Sequence, residues 1–501
     1  MTFDVHDLDL FLLVGSAVTL LAILAVRVSS RAGLPSLLIY LLMGVALGDA
    51  GLGIEFDDAQ LAHALGFAAL AIILAEGGLT TSWSEVRPSI WLGASLATVG
   101  VAVSIAVVAL AAHFLLGLPW ELAVLLAAVT SPTDAAAVFS VLRVVPLPKR
   151  LIGPLETESG LNDAPTVVLV TLISTGALTD HGLLGAAGIV VWELVVGVAS
   201  GLLFGFGGAW LMRRAALPSS GLYPIAVLCL TLLAYGAATF IHGSGFAAVY
   251  VAALVLGNME LPHRVATRSF AEGIAWLAQI GLFVMLGLLL SPERIGLSTV
   301  GLAVLAGLVL TFVARPVSVW VSSLRTDLSW REKTFLSWAG LRGAVPIVLT
   351  TIPLAEGVNG SERLFDLVFV MVVIYTLLTG PTLPSVARML QVVRRSEPRG
   401  FEVEAAPLDR IAADMLQVSI SPVSMLHGVE VGELRLPVGA SVSMIIRDGE
   451  TLVPERRTVL RHGDDLLIVT PRRLREKTEK RLRQVSVGGR LAQWVDRPDK
   501  S

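Results

Sequence analysis

The chain has a single cysteine, Cys229, among its 501 residues. One cysteine excludes an intramolecular disulfide and any metal site built from several cysteines of one chain. Charged residues are also scarce at 15% of the sequence, whereas hydrophobic residues make up 54% and the mean hydropathy is +0.77. Because a soluble globular protein carries more charge than this, the composition indicates an integral membrane protein.

Apolar runs long enough to cross a bilayer recur from Leu8 to Leu390. We count about thirteen, at residues 8–26, 33–49, 61–80, 89–116, 120–142, 151–176, 183–211, 222–241, 245–259, 270–290, 296–323, 334–355 and 364–390. Basic residues cluster in alternate loops, beginning with the loop after the first run. The positive-inside rule then places the N-terminus outside and the C-terminus in the cytoplasm. An acidic flank before the first run is unlike a signal peptide and predicts a retained helix.

The composition changes after Leu390, which marks the end of a transmembrane domain at residues 1–390. Residues 391–410 are charged and contain proline and glycine, a pattern typical of a linker. Residues 411–490 show the alternating apolar pattern of short strands, followed by a basic helix, and residues 491–501 form a tail. The sequence therefore predicts a small α+β cytoplasmic domain at 411–490.

This second domain resembles the C-terminal subdomain of the RCK (TrkA-C, or RCK_C) regulatory family. The resemblance is carried by Leu434–Ala440, Ile445–Gly449 and Val459–Leu467. It implies a homodimer and a small-molecule regulator of the nucleotide or cyclic dinucleotide type. A glycine-rich nucleotide fingerprint does not precede the domain, so a structural dimer clamp without a ligand is the alternative.

Polar residues interrupt the sixth apolar run, where Glu158, Ser159, Asn162 and Asp163 lie between apolar stretches. Ionised groups are costly at that depth and persist mainly where they function. Ser159 and Asp163 are four positions apart and share a helix face. A partly desolvated carboxylate can hold either a proton or a metal ion. We therefore predict that Asp163 binds a proton and a monovalent cation in turn.

The fifth run is interrupted at Pro132, Thr133 and Asp134. Pro132 removes a backbone donor and disrupts the helix, and the freed carbonyls need a polar environment. We place Thr133 and Asp134 in the site, with simple helix capping by Asp134 as the alternative. The twelfth run has a similar cluster of glycines and a proline around Arg342. Such pairs of interrupted helices, one in each inverted repeat, are typical of secondary transporters.

Two arginines, Arg315 and Arg342, lie within apolar runs and need partners there. Glu158 is the natural partner, and Arg315 is the first choice for a structural ion pair that leaves Asp163 free to titrate. For Arg342 the alternative is extension towards the membrane surface. The other embedded acids are interpreted as interface or packing residues: Glu76, Glu121 and Glu193.

Four ordered motifs resemble the NhaP-type monovalent cation:proton antiporters of the CPA1 family. They are Ser131–Ala135, Glu158–Asp163, Gly245–Asn258 and Gly340–Ala344. Together with the tail, they are most similar to the potassium:proton branch. The resemblance implies an all-α NhaA/NhaP-like fold of about thirteen helices with inverted repeats, a dimer in a bacterial cytoplasmic membrane, and alternating access. It also implies a site at Asp163, surrounded by Thr133, Asp134, Ser159 and Asn162.

Asn162 occupies the position where electrogenic relatives carry a second acid, and the apolar runs contain no lysine. One carboxylate that exchanges one proton for one monovalent ion moves no net charge, so we predict electroneutral exchange. Only the resemblance of the tail favours potassium as the transported cation. The site residues are equally compatible with sodium. Neither a resident cofactor nor a nucleic-acid partner is expected.

The competing hypothesis is an RCK-regulated potassium channel. Such a channel would use a glycine-rich carbonyl filter, and the sequence has none. An enzyme is disfavoured because the sequence shows neither a nucleophile–base arrangement nor a metal motif.

Overall fold

A computed structural model of the chain describes residues 5–32, 36–49, 51–134, 147–393, 401–408, 413–421, 424–447 and 449–489. The chain divides into two compact units, Met1–Arg394 and Arg395–Ser501. Each unit is built around hydrophobic residues of its own.

The first unit is helical throughout its described elements. Its helices are α1 (Val5–Ala32), α2 (Ser36–Leu47), α3 (Ala59–Thr80), α4 (Trp83–Val86), α5 (Ile90–Ser95), α6 (Val101–Phe114), α7 (Trp120–Thr130), α8 (Lys149–Ser174), α9 (Ala177–Arg214), α10 (Leu222–Phe240), α11 (Gly245–Asn258), α12 (Arg264–Leu288), α13 (Leu297–Val309), α14 (Arg315–Ser322), α15 (Trp330–Trp338), α16 (Ala344–Ala355) and α17 (Ser361–Met389). Seven helical segments of the described chain are long and apolar enough to cross a bilayer. The prediction of an all-helical membrane domain is confirmed.

Two of the long apolar segments contain π-helical turns, at Leu96–Gly100 between α5 and α6 and at Leu310–Ala314 between α13 and α14. The residue before the first turn bonds to the last residue of α14, because Ser95 Oγ donates to Ser322 O at 3.1 Å and Ser322 Oγ donates to Ser95 O at 3.3 Å. The wider turn of a π-bulge often marks a functional position in a helix, and the second one directly precedes Arg315.

Two helices are interrupted in the interior of the unit. Helix α7 ends at Thr130, and residues 131–134 are not helical. The end of the predicted fifth span, residues 135–142, lies outside the described residues. The predicted twelfth span divides into α15 and α16, with residues 339–343 between them outside regular helix.

Glycines allow α2, α3, α11 and α12 to pack closely. Gly44 on α2 faces Gly287 on α12, and a Cβ added to either would lie 2.8 Å from the Cα of the other. Gly78 on α3 faces α11 in the same way, because an added Cβ would lie 2.7 Å from the Cβ of Ala253. These contacts hold the four helices together as one tightly packed group, which forms one wall of the site.

The second unit is a five-stranded antiparallel sheet with a C-terminal helix, α18 (Arg475–Gly488). Its strands are β1 (Phe401–Leu408), β2 (Ala413–Ile420), β3 (Ser441–Arg447), β4 (Glu450–Leu452) and β5 (Asp465–Pro471), in the order β1-β2-β5-β3-β4. The α+β class predicted for this domain is confirmed. Strand β1 lies in the stretch interpreted from its charges and proline as a linker. It is an edge strand, the position in a sheet where proline is tolerated.

Candidate ion-binding site

The two helix interruptions, residues 131–134 and 339–343, contact each other at a crossing. The backbone N–H of Asp134 donates to Leu341 O at 2.9 Å. In the opposite direction, Arg342 Nε donates to Thr130 O at 2.7 Å, and Arg342 Nη1 donates to Gly340 O at 2.9 Å. The Arg342 guanidinium therefore satisfies a carbonyl at the C-terminal end of α7, where a positive charge is favourable.

Asp134 lies against the start of α16. Its carboxylate packs on Gly343, the residue before the helix, so closely that an added Cβ would overlap Oδ2. A negative charge near the first turn of a helix is electrostatically favourable. Each break thus places a charged side chain at a helix end of the other broken segment: Arg342 at the end of α7 and Asp134 at the start of α16.

Helix α8 is attached to this crossing. Asn162 Nδ2 donates to Thr133 Oγ1 at 3.1 Å, and both residues are buried. The next residue, Asp163, is only 7% exposed. Its Oδ1 atom has no hydrogen-bond partner among the described residues. The carboxylates of Asp163 and Asp134 are near enough to interact electrostatically.

A cavity of about 410 Å³ adjoins the crossing. Of the five site residues indicated by the sequence, Asp134, Ser159 and Asp163 line it. Thr133 and Asn162 do not line it and instead bond to each other. Thr133 and Asn162 therefore join α8 to the crossing, while the other three residues face the cavity.

The cavity wall carries three further acids, Glu76 on α3, Glu156 on α8 and Glu272 on α12, and none of the lining residues within the described part of the chain is basic. Glu76 was interpreted from the sequence as a packing residue, and Glu156 and Glu272 were missed. The spacing of Glu156 held a signal, because it lies two helical turns before Asp163 and so shares its face. An acidic wall of this kind attracts cations.

Glu158 lies away from the cavity and pairs with Arg315. Arg315 Nη1 contacts Glu158 Oε1, Nη2 donates to Glu158 Oε2 at 2.8 Å, and the two side chains are 5% and 1% exposed. Gly340 leaves room for this pair, since a Cβ there would lie 2.6 Å from Arg315 Nε. The bidentate geometry neutralises both charges in the interior, and neither residue lines the cavity.

Comparisons with known proteins agree with this architecture. Residues 16–389 match the family described as "Sodium/hydrogen exchanger, transmembrane", and residues 415–483 match the TrkA-C domain. The chain is 35% identical over 475 residues to the K(+)/H(+) antiporter NhaP2 of Shewanella oneidensis, covering 93% of this chain and 82% of that protein. It is 35% identical over 474 residues to the K(+)/H(+) antiporter NhaP of Alkalimonas amylolytica, covering 92% of this chain and 81% of that protein.

A more distant relative is the Na(+)/H(+) antiporter ApNhaP of Aphanothece halophytica, at 27% identity over 399 residues, covering 74% of this chain and 75% of that protein. Among solved structures, the sodium proton antiporter MjNhaP1 of Methanocaldococcus jannaschii superposes with a TM-score of 0.64 at 21% identity. The match covers 76% of this chain and 99% of the MjNhaP1 chain. The fold is therefore that of an antiporter, and the channel hypothesis finds no support. The chain belongs to the sodium/hydrogen exchanger family, as a membrane-embedded cation:proton antiporter with a TrkA-C domain rather than an enzyme.

Proposed function

We propose that this protein exchanges potassium for protons across a bacterial cytoplasmic membrane, with Asp163 as the group that holds one or the other. The observation that carries the proposal is the Oδ1 atom of Asp163, which has no hydrogen-bond partner among the described residues and belongs to a cavity-lining side chain. The preference for potassium over sodium rests on the K(+)/H(+) names of the relatives at 35% identity.

The site can alternate between its two ligands because it disfavours a bare negative charge. Burial removes Asp163 from water, and the Asp134 carboxylate repels a second charge. A proton or a monovalent cation relieves both effects, and binding of one excludes the other. Ser159 and Asp134 place further oxygen atoms on the same cavity wall, and oxygen is the ligand that alkali cations bind.

Alternating access follows from where the cavity lies. Asp134 beyond the end of α7, together with α8 and α16, forms one wall, and the closely packed group of α2, α3, α11 and α12 forms the other. Movement of the first group along the second would carry Asp163 from one face of the membrane to the other. The cavity reaches Thr80 and Thr81 at the end of α3, which the loop charges place on the cytoplasmic side. We therefore propose a cytoplasm-open conformation, with the N-terminus outside and the C-terminus inside.

The assembly and regulation are part of the same proposal. Large apolar side chains such as Leu184, Phe240 and Leu297 are at least 87% exposed, which fits a surface covered by membrane lipid. We propose a homodimer, as the TrkA-C resemblance implies. The TrkA-C domain would bind a small regulator of the nucleotide or cyclic dinucleotide type and adjust the exchange rate.

The test is Asp163→Asn in everted vesicles, with fluorescence dequenching recorded for each alkali cation. We expect exchange to fall to background, while the variant reaches the membrane in normal amounts. The matched control is Asp327→Asn, the same chemical change at an exposed loop position, which should leave exchange intact. Retained exchange by Asp163→Asn would refute the proposed site, and a larger response to sodium than to potassium would refute the proposed substrate.

A further inference from the structure

Helices α3 and α16 separate at one end and touch at the other. At the open end, Leu70 on α3 and Val345 on α16 both line the cavity. One turn further along, Gly66 on α3 lies so near α16 that an added Cβ would be 3.1 Å from Val348 Cγ1. The two helices therefore close the pathway at the end opposite the cavity.

A hydrogen bond crosses this closed end. His63 Nδ1 on α3 lies 3.2 Å from Thr351 Oγ1 on α16. The single hydroxyl proton of Thr351 is donated to Val348 O at 2.6 Å. With that proton on Val348 O, Thr351 accepts from His63, and Nδ1 is the donor. Since an imidazolium also donates from Nδ1, protonation of the ring leaves this bond in place.

Burial strengthens this hydrogen bond. Thr351 is fully buried and His63 is partly buried, so water competes poorly for either group. The His63 ring also packs on Phe67 of the same helix, with centroids 4.2 Å apart, and Phe67 packs on Phe246 of α11 at 5.1 Å. The donor is thus held by the group of helices that forms one wall of the pathway, and the acceptor belongs to the helix that carries the break.

We propose that the hydrogen bond from His63 to Thr351 holds the pathway closed opposite the cavity and thereby sets the proportion of molecules in the cavity-open conformation. His63 and Thr351 are positioning residues, because neither lines the cavity that contains Asp163. Opening the opposite side requires α3 and α16 to part at this end, which breaks the bond. The inference rests on the alternating access proposed above.

The experiment measures access to this end directly. In a Cys229→Ser background, Val348→Cys places a thiol at a buried position beside Gly66. A membrane-impermeant thiol reagent is added to intact cells. Because it stays outside the cell, it reaches the protein only from the face opposite the cavity. Loss of one buried hydrogen bond should raise the population of the opposite conformation, and hence the labelling rate, about two- to tenfold.

The chain offers a matched control for the acceptor. Thr350 is also fully buried and its hydroxyl donates to Ile347 O at 2.6 Å, as that of Thr351 does to Val348 O. Thr351→Val should accelerate labelling, and Thr350→Val should not. On the donor side, His63→Leu should match Thr351→Val, whereas His63→Asn keeps an amide N–H near Nδ1 and should stay near the native rate.

The double variant His63→Leu/Thr351→Val completes the test. If the two residues act through one bond, it should label no faster than either single variant. Equal rates for Thr351→Val and Thr350→Val, or additive effects in the double variant, would overturn the inference. Labelling requires no transport, so repeating it with Asp163→Asn separates the two proposals. Retained exchange in Asp163→Asn would refute the ion site, and unchanged labelling in Thr351→Val would refute the hydrogen-bond inference.

Discussion

The Glu158–Arg315 pair provides a quantitative test of the distinction between structural and functional charge. Both side chains are at most 5% exposed and bond in a bidentate arrangement. Glu158→Gln preserves the shape of the side chain but leaves the guanidinium of Arg315 buried without a countercharge. Removing one partner of a buried ion pair costs about 3–5 kcal/mol, so we expect a large fall in the thermal unfolding midpoint of the purified protein.

Removing both charges should have a different effect. Glu158→Leu combined with Arg315→Met fills the space with apolar groups, and such exchanges are often neutral. We therefore expect the double variant to recover most of the loss seen with Glu158→Gln or Arg315→Met alone. Asp163→Asn should show the reverse behaviour, with native stability and no exchange.

The assay measures the thermal unfolding midpoint of each purified variant in detergent. Each midpoint is compared with that of the exposed-loop control Asp327→Asn. A Glu158→Gln protein as stable as that control would show that the pair is not a structural element. A double variant that loses as much as the two single variants combined would refute the electrostatic reasoning, since the loss would then reflect packing alone.

Three further predictions concern the ion pathway. Gly343→Ala should abolish exchange, because its Cβ would overlap the Asp134 carboxylate, and vesicle dequenching at normal expression checks this. Glu76→Gln removes one acid from the cavity wall and should raise the half-saturating potassium concentration on the cytoplasmic side severalfold at low ionic strength. The increase should be smaller at high salt, and the maximal rate should not change. Exchange in proteoliposomes should be insensitive to membrane potential, because one carboxylate exchanges one proton for one cation; a clear voltage dependence would contradict this stoichiometry.

Much of the fold could be predicted because a bilayer constrains sequence strongly. Apolar runs must be long enough to cross it and the backbone must satisfy its own hydrogen bonds, so the helices of the first unit follow the apolar runs. The interruption near Pro132 was also readable, since proline cannot donate within a helix. Strand β1 was not readable, because its charges and proline are typical of both an edge strand and a linker.

The site was only partly readable from the sequence. Asp163 stands out as a carboxylate among apolar residues, but the sequence does not show that Thr133 and Asn162 turn from the cavity and bond each other. Nor does it show that Glu272, from a helix more than a hundred residues away, lines the same wall. Which face of each helix meets the cavity depends on packing between helices, and local periodicity does not determine that rotation.

The sequence by itself determined the membrane class, the two-part organisation and the one carboxylate that no packing role explains. These are properties of local composition, because the cost of placing a charge in an apolar segment is paid wherever that segment lies. Only the tertiary structure decided that the breaks near Pro132 and Arg342 cross, and that His63 reaches Thr351. Those contacts join residues about two hundred positions apart or more, and they depend on how rigid helices pack, which no single segment encodes.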